Sequence, residues 1–412
     1  MLRTLRRLDR IEDRNRELLE LAGALILAMS PWFATSAVLG QLREAWMLSN
    51  AEASWLTIAV QIGFVLGALA SVASNLADRI PPRRLLLLGT LGASAANLSI
   101  VFFDTSTPTL IARFITGACL AAVYPSSLKI MSGWFREGRG LALGVMIGSL
   151  TLGSALPHLI NALGGLHWQL TLIIISVLTV VGGVIADRIC CDGPYMAPTA
   201  MFDKGTLRAV LKDRGFRLAS LGYFGHMWEL YAMWAWIAVF YGDVFSSPRV
   251  ASLAAFLVIG SGALGSVYAG RMSDRWGRSD AAALAMRWSA AVSVVAGFLL
   301  DAPWPIVLGI GLFWGFWVVA DSAQFSAIVT EVVDPKIVGT ALTVQLAAGF
   351  TLTVFTIFLV PVIRDAHGWG WAFLLLAPGP ALGAWAMRAL RIGPRHRAEL
   401  EPEPEVWISP FF

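Results

Sequence analysis

The chain has 412 residues, of which 57% are hydrophobic and only 14% are charged, and its formal net charge is +4. An ordinary soluble domain carries about 25% charged residues, so this chain has too few charges to cover a water-exposed surface of its size. The composition excludes a soluble globular protein and a strongly basic nucleic-acid-binding protein, and it indicates that most of the exterior faces lipid.

Residues 1–20 contain several arginines, with apolar residues at helical spacing, which predicts a cytoplasmic basic amphipathic helix on an anionic membrane surface. From residue 21 onward the chain divides into apolar stretches, each near the ~20 residues that a bilayer crossing requires. We predict twelve spans at residues 21–41, 53–76, 85–103, 107–134, 141–163, 168–186, 218–241, 251–272, 281–300, 305–329, 337–362 and 371–390.

The longest polar stretch lies between the sixth and seventh spans and is rich in basic residues. It predicts a cytoplasmic linker between two halves of six spans each. The proposed domains are the basic helix 1–20, an N-terminal six-helix bundle 21–189, the linker 190–217, a C-terminal six-helix bundle 218–390 and a cytoplasmic tail 391–412.

The placement of basic residues supports this topology. Of the 31 lysine and arginine residues, only Arg43, Arg249 and Arg364 fall in loops on the predicted outer side. Basic residues concentrate in cytoplasmic loops of membrane proteins. We therefore expect a multi-pass protein of the plasma (inner) membrane with both termini in the cytoplasm.

A charged loop is repeated at half-chain spacing. The sequence GRMSDRWGR follows the eighth span at 270–278, and SNLADRIPPRR follows the second span at 74–84. The central aspartates, Asp78 and Asp274, are 196 residues apart (274 minus 78). A charged hairpin repeated between equivalent spans predicts an internal duplication.

The pattern G-x-x-x-D-R-x-G-R at this position resembles the signature loop of the major facilitator superfamily (MFS) of secondary transporters. The second copy matches it at Gly270, Asp274, Arg275, Gly277 and Arg278, whereas the first keeps Asp78 and Arg79 but has Ser74, Pro81 and Pro82 at the other motif positions. The resemblance covers residues 21–390. It implies an all-α polytopic membrane protein with 12 transmembrane helices in two pseudo-symmetric six-helix bundles, whose charged loops stabilise one closed state.

In the family that the chain resembles, the first, fourth, seventh and tenth spans line a central cavity. Ionisable residues inside a membrane are costly, so they face a cavity, pair with one another or extend to an interface. The fourth, seventh and tenth spans of this chain contain such residues, namely Arg113, Lys129, His226, Glu229 and Asp321.

Arg113 lies roughly 9 Å from the outer end of the fourth span, at 1.5 Å per residue. The stretch from Arg113 to Gly117 is similar to the R-x-x-x-G element that the family links to proton coupling. Two interpretations stay open. Arg113 either contacts an anion or tunes a nearby carboxylate, or it is a structural arginine bound to backbone carbonyls.

Glu229 lies near the middle of the seventh span, where a carboxylate needs a proton or a cation. His226 is three residues earlier and therefore on much the same face. One hypothesis is a proton relay through both, with Trp228 and neighbouring aromatics shaping the cavity wall. The alternative is a permanently protonated Glu229 that is hydrogen-bonded within the bundle. The soft side chains nearby do not share a face, so we expect no metal site.

Asp321 lies deep in the tenth span, on the same face as Gln324 and downstream of the aromatic stretch that contains Trp317. The half-chain offset places Asp321 opposite Pro125, one turn from Lys129. We predict that Lys129 pairs with Asp321 across the inner gate. The alternative is that Lys129 extends to the membrane interface.

The sequence thus predicts a secondary active transporter that works by alternating access, is proton-coupled and moves a small organic molecule or anion. A proton/drug antiporter for efflux and an uncoupled facilitator are the alternatives. We expect no enzyme, because the polar segments are too short for a catalytic domain and G-x-x-x-x-G-K-[ST] does not occur. We also expect no cofactor beyond a proton or other ion gradient, and a monomer whose partners are a small-molecule substrate and membrane lipid, not nucleic acid.

Overall fold

A computed structural model describes residues 11–135, 138–164, 166–195, 203–334 and 336–390, and it contains helices but no strands over these ranges. Twelve long helices follow one another along the chain. The first six are α1 Ile11–Ala28, α2 Asn50–Ala73, α3 Pro82–Phe102, α4 Ser106–Ser132, α5 Arg139–Gly164 and α6 Trp168–Arg188. The other six are α7 Arg214–Val244, α8 Pro248–Trp276, α9 Arg278–Leu299, α10 Trp304–Val332, α11 Val338–His367 and α12 Trp369–Leu390.

Ten of these helices are long and apolar enough to cross a membrane. The other two carry more polar residues, because α1 begins with a charged stretch and α7 contains His226 and Glu229 near its middle. Each predicted span corresponds to one of the twelve helices. The chain is therefore an all-α polytopic membrane protein.

The predicted terminal and linker segments are described only in part. Residues 1–10 of the basic helix, 196–202 of the linker and the tail 391–412 lie outside the described residues. Residues 11–20 form the first turns of α1. The described part of the linker includes a short helix, Leu207–Lys212.

The first predicted span is not one continuous helix. After α1 ends at Ala28, residues 29–33 form turns, and two short helices follow at Ala34–Ala37 and Leu39–Trp46. Pro31 lies in the turns, where its missing N–H and its ring oppose helix continuation. The predicted span at 21–41 therefore covers the end of α1, these turns and the beginning of the segment with the two short helices.

The same helix pairs pack together in each half, which shows the internal repeat directly. In the first half α2 packs on α4, α3 on α6, and α1 on both α5 and α6. In the second half α8 packs on α10, α9 on α12, and α7 on both α11 and α12. The two six-helix bundles are therefore pseudo-symmetric, as the repeated loops predict.

The most extensive contacts between the halves are those of α5 with α8 and of α2 with α11. Small residues let α5 and α8 approach closely, since a Cβ on Gly144 would collide with the carbonyl of Ser266 and a Cβ on Gly270 with that of Gly140. The Ser266 hydroxyl donates to the Gly144 carbonyl at 3.0 Å. The two pairs correspond to each other under the repeat, because α5 matches α11 and α8 matches α2.

Both charged loops lie on one face of the bundle, because six crossings separate them. We call this side the loop face and the other side the opposite face. On the loop face, Asp274 lies against Gly140 at the start of α5. On the opposite face, the Asn50 amide donates to the Asp365 carboxylate, which ties the start of α2 to the end of α11.

Candidate functional site

A cavity of about 210 Å³ lies between the two halves. Its walls come from α4 and α5 of the first half and from α7, α10 and α11 of the second. Of the four spans expected from the family resemblance, the fourth, seventh and tenth line the cavity, as α4, α7 and α10. The first span, which begins with α1, contributes none of the described lining residues, and α5 and α11 line the cavity in addition.

The cavity wall is mostly apolar and aromatic. Its hydroxyl, imidazole and amide side chains belong to Tyr124, Tyr223, His226, Tyr231, Ser322, Ser326 and Gln345. No lysine, arginine, aspartate or glutamate occurs among the described lining residues. The cavity thus offers polar uncharged groups on an apolar surface, which is typical of small-molecule sites.

Two broken helices meet at the cavity. The helix in α4 stops at Leu120 and restarts at Tyr124, and the helix in α10 stops at Ala320 and restarts at Ser322. Pro125 explains the first break, because proline cannot donate to the carbonyl four residues earlier. Asp321 lies in the second break, at the position that the half-chain offset makes equivalent to Pro125. Interrupted helices at a repeat boundary are typical of transporter binding sites.

The break in α10 places an acidic side chain behind the cavity wall. Oδ1 of Asp321 lies 2.8 Å from Nδ1 of His226, and both side chains are almost completely buried. The His226 ring lines the cavity and packs against Phe325, with ring centroids 5.4 Å apart. In this conformation the partner of Asp321 among the described residues is the imidazole of His226, and the pairing of Asp321 with Lys129 stays a prediction.

Glu229 forms a second buried acidic centre, inside the C-terminal half. Its carboxylate accepts hydrogen bonds from the hydroxyls of Ser289 and Ser293 and from the indole Nε1 of Trp314, each at 2.7 Å. These donors lie on α9 and α10, so Glu229 of α7 connects three helices. Three buried donors on one carboxylate form a closed polar network.

His226 and Glu229 share a face of α7, yet no hydrogen bond joins their side chains. His226 pairs with Asp321, whereas Glu229 binds the two serines and Trp314. The direct relay through His226 and Glu229 stays a prediction. The sequence reasoning did not identify Ser289, Ser293 or Trp314, although an i, i+4 serine pair on an apolar helix marks one polar face.

Arg113 is completely buried, and its guanidinium binds backbone carbonyls. Nε donates to Leu56 at 3.2 Å, Nη1 donates to Pro31 at 2.7 Å, and Nη2 donates to Trp32. Two of these carbonyls belong to the turns that follow α1, where the helical hydrogen bonds are interrupted. In this conformation Arg113 binds only backbone carbonyls among the described residues and does not line the cavity, so contact with an anion stays a prediction.

An aromatic cluster joins the two halves on one side of the cavity. It consists of Trp32, Phe33 and Phe64 from the first half and Tyr231, Trp234 and Phe350 from the second. The ring centroids of Trp32 lie 5.8 Å from those of both Tyr231 and Phe350, and Phe64 lies 4.7 Å from Phe350. Because Tyr231, Trp234 and Phe350 also line the cavity, this cluster forms its wall toward the opposite face.

The second charged loop is tied to the other helices of its own half by an ion pair. The Arg278 guanidinium pairs with Glu331 at 2.5 Å, which links the start of α9 to the end of α10. Gly277 has φ +99°, a backbone conformation that favours glycine. The side chain of Arg275 is exposed. In the first loop Asp78 and Arg79 belong to the short helix Leu76–Arg79, and the side chain of Asp78 lies outside the described residues.

The other predicted site residues lie away from the cavity wall. Gln324 is buried, and its amide has no hydrogen-bond partner among the described residues. Trp228 donates to the Leu375 carbonyl at 2.9 Å, and Trp317 packs on Phe313 with ring centroids 6.1 Å apart. Lys129 is not a lining residue either.

In the described ranges, no three His, Cys, Asp or Glu side chains form a metal-binding group.

Twelve membrane helices in two repeated bundles, with broken helices beside a central cavity, define the architecture of a transporter with internal repeats. The family model of the Major Facilitator Superfamily matches residues 21–189 and 219–411. The chain belongs to this superfamily, as the loop at Asp274 indicates.

Several characterised proteins resemble the chain in sequence. It is 27% identical to the MFS transporter asaE of Aspergillus flavus over 311 residues, which cover 71% of this chain and 66% of that protein. It is 27% identical to a gallate transporter of Pseudomonas putida over 29% of this chain and 27% of that protein. It is 32% identical to the multidrug efflux pump LfrA of Mycolicibacterium smegmatis over 25% of this chain and 21% of that protein. The chain thus spans less than two thirds of the length of each of these relatives.

Solved structures share the fold. The proton:xylose symporter XylE, bound to 6-bromo-6-deoxy-D-glucose, matches with a TM-score of 0.72 and 14% identity over 91% of this chain and 95% of that chain. A mutant of the nucleoside transporter NupG matches with a TM-score of 0.69 and 14% identity over 91% of this chain and 100% of that chain. At this identity the similarity concerns the fold alone.

Proposed function

We propose that this protein is a secondary active transporter that carries a small organic molecule by alternating access and is driven by protons. The observation that carries the proposal is the buried pair of His226 and Asp321, which lies in a helix break beside a cavity between two repeated halves. A titratable pair in that position can respond both to the substrate and to protons.

Alternating access requires a barrier on each side of the central site. On the opposite face, the aromatic cluster and the contact between Asn50 and Asp365 join the halves. On the loop face, α5 and α8 meet at Gly140 and Asp274. Rocking of one half against the other would open one barrier while the other closes.

Protons supply the energy in this proposal. A buried aspartate is unfavourable as a free anion, so Asp321 exchanges its histidine partner for a proton during the cycle. Moving one charge through the membrane potential supplies about 2.3 kcal/mol per 100 mV. A free energy of ~1.4 kcal/mol corresponds to a factor of ten in concentration. One proton per cycle can therefore raise the substrate concentration on one side of the membrane to tens of times that on the other.

We propose that the loop face is cytoplasmic and that the membrane is the plasma (inner) membrane. The support is the distribution of basic residues, because Arg43, Arg249 and Arg364 are the only lysines or arginines in the loops that the sequence places on the outer side. Basic residues favour the cytoplasmic side.

The test uses the protein in liposomes that contain a pH-sensitive dye. A panel of small aromatic compounds is added with and without an imposed pH gradient, and both compound uptake and internal pH are recorded. Proton-coupled transport gives compound-dependent proton flux: movement in the same direction as the compound indicates symport, and movement in the opposite direction indicates antiport. Uptake without proton flux would show an uncoupled facilitator and would overturn the coupling.

A further inference from the structure

We infer that the central cavity binds an uncharged aromatic molecule that carries a hydrogen-bond acceptor. The inference rests on the proposed function and specifies the substrate class of the same site. Three features of the described cavity wall support it: the lack of acidic and basic side chains, the aromatic rings, and two buried N–H groups without hydrogen-bond partners.

The wall offers no lysine, arginine, aspartate or glutamate side chain, among the described residues, that could form an ion pair with a charged ligand. No basic or acidic residue lines it among the described residues, and its one titratable imidazole, on His226, already lies 2.8 Å from Asp321. Arg113 binds three backbone carbonyls away from the cavity. Burying a charge without a partner is costly, so the cavity disfavours both anions and cations.

Aromatic side chains dominate the side of the cavity next to the aromatic cluster. Tyr231, Trp234 and Phe350 contribute rings there, and Tyr223 and Tyr124 contribute rings on other walls. Planar apolar surfaces of this kind pack best against another flat ring. The cavity volume of about 210 Å³ is below the ~300–1,000 Å³ of drug-sized pockets, which favours a compact ligand of one or two rings.

Two lining side chains contribute donors that nothing in the described chain accepts. The indole Nε1 of Trp234 and the amide Nε2 of Gln345 are buried without hydrogen-bond partners. An indole N–H can only donate. A ligand oxygen with a free lone pair would satisfy such a donor, because buried polar groups in folded proteins are normally paired.

The charge of the ligand is tested with three naphthalenes that differ in one substituent: 2-naphthalenemethanol, 2-naphthoate and 2-naphthylmethylammonium. Their affinity for the protein in lipid nanodiscs is measured by titration calorimetry, with empty nanodiscs as the blank. We expect the uncharged alcohol to bind roughly tenfold or more tightly than either ion, which corresponds to ~1.4 kcal/mol. Tighter binding of either ion, or no binding by any member, overturns the inference.

The acceptor is tested with a matched pair, 2-(methoxymethyl)naphthalene and 2-propylnaphthalene, which differ in one ether oxygen. We expect the ether to bind more tightly, and we expect Trp234→Phe or Gln345→Leu to reduce this preference severalfold. Gln61→Leu is the control, because Gln61 is also a buried glutamine with an unpartnered amide but does not line the cavity. An unchanged ether preference in both cavity variants overturns the role of the donors.

Uptake into liposomes separates this inference from the proposed function. If the alcohol binds with the expected preference but is not transported, the transport proposal fails while the substrate class stands. If a charged member binds and is transported with protons, the transport proposal stands and the substrate class fails.

Discussion

The guanidinium of Arg113 binds the backbone carbonyl of Trp32, and the indole ring of Trp32 lies within the aromatic cluster that joins the two halves. Arg113 thereby fixes the irregular backbone after α1, which presents Trp32 and Phe33 to the second half. A cation buried in the first half thus supports the barrier on the opposite face without lining the cavity.

Replacing Arg113 with lysine should destabilise the protein. A lysine ammonium is a point donor and cannot reach three carbonyls in the fork geometry of a guanidinium. At least one buried carbonyl would lose its partner, at a cost of about 1–3 kcal/mol. Thermal unfolding in detergent, followed by intrinsic tryptophan fluorescence, measures the change.

The control for Arg113→Lys is Arg287→Lys. Arg287 is exposed, and its side chain bonds only the Ala283 carbonyl, at 3.0 Å, among the described residues. We expect its unfolding temperature to be nearly unchanged. Equal unfolding temperatures for the two variants would contradict a clamp at Arg113.

Two substitutions of Glu229 should separate its structural role from its charge. Glu229→Gln keeps one carbonyl oxygen for Trp314 and an amide that the serine hydroxyls can bind, so we expect a small loss of stability, within about 1 kcal/mol. Glu229→Ala leaves the Ser289 hydroxyl and the Trp314 indole without their acceptor, whereas the Ser293 hydroxyl keeps the Ser289 carbonyl at 2.8 Å. We expect a loss of about 2 kcal/mol or more. Thermal unfolding of both variants in the same detergent provides the comparison, and equal losses would show that the network contributes little.

Asp321→Asn should uncouple transport from protons. The amide is similar in size but does not titrate, so the variant should exchange substrate across the membrane without accumulating it against a gradient. Counterflow and gradient-driven uptake, measured on the same liposomes, distinguish the two activities. Asp301→Asn is the control, because Asp301 is exposed in the loop before α10. Wild-type accumulation by Asp321→Asn would exclude Asp321 as the coupling group.

Gly140→Ala should disfavour the closed loop face. The added Cβ would collide with the Asp274 carboxylate and the Gly270 carbonyl, so α5 and α8 would have to separate there. Nitroxide labels at exposed positions 79 and 275, in a background without cysteines, report the distance between the charged loops by electron spin resonance. We expect a changed distance distribution for Gly140→Ala but none for Gly23→Ala, whose Cβ would meet nothing within 4 Å. Identical distributions in all three proteins would argue against this contact as a gate.

The sequence alone determined the membrane helices, their repeat and the identity of the superfamily. Each of these features is local: about 20 apolar residues make a crossing, and the loop around Asp274 carries its motif in nine consecutive residues. The half-chain offset also identified Pro125 and Asp321 as equivalent positions, where the structure breaks both helices. The breaks themselves were not predicted, although Pro31 and Pro125 are local signals for those after Ala28 and Leu120.

The partners of the buried polar groups were decided by the tertiary structure. The sequence places His226 and Glu229 on one face of a helix, but it does not show that one pairs with Asp321 and the other with Ser289, Ser293 and Trp314. The physical reason is that lipid-facing and packed helix surfaces are equally apolar, so hydrophobic periodicity does not reveal which helices are neighbours. The pairing of buried side chains depends on that arrangement, and the arrangement depends on contacts between residues far apart in the chain.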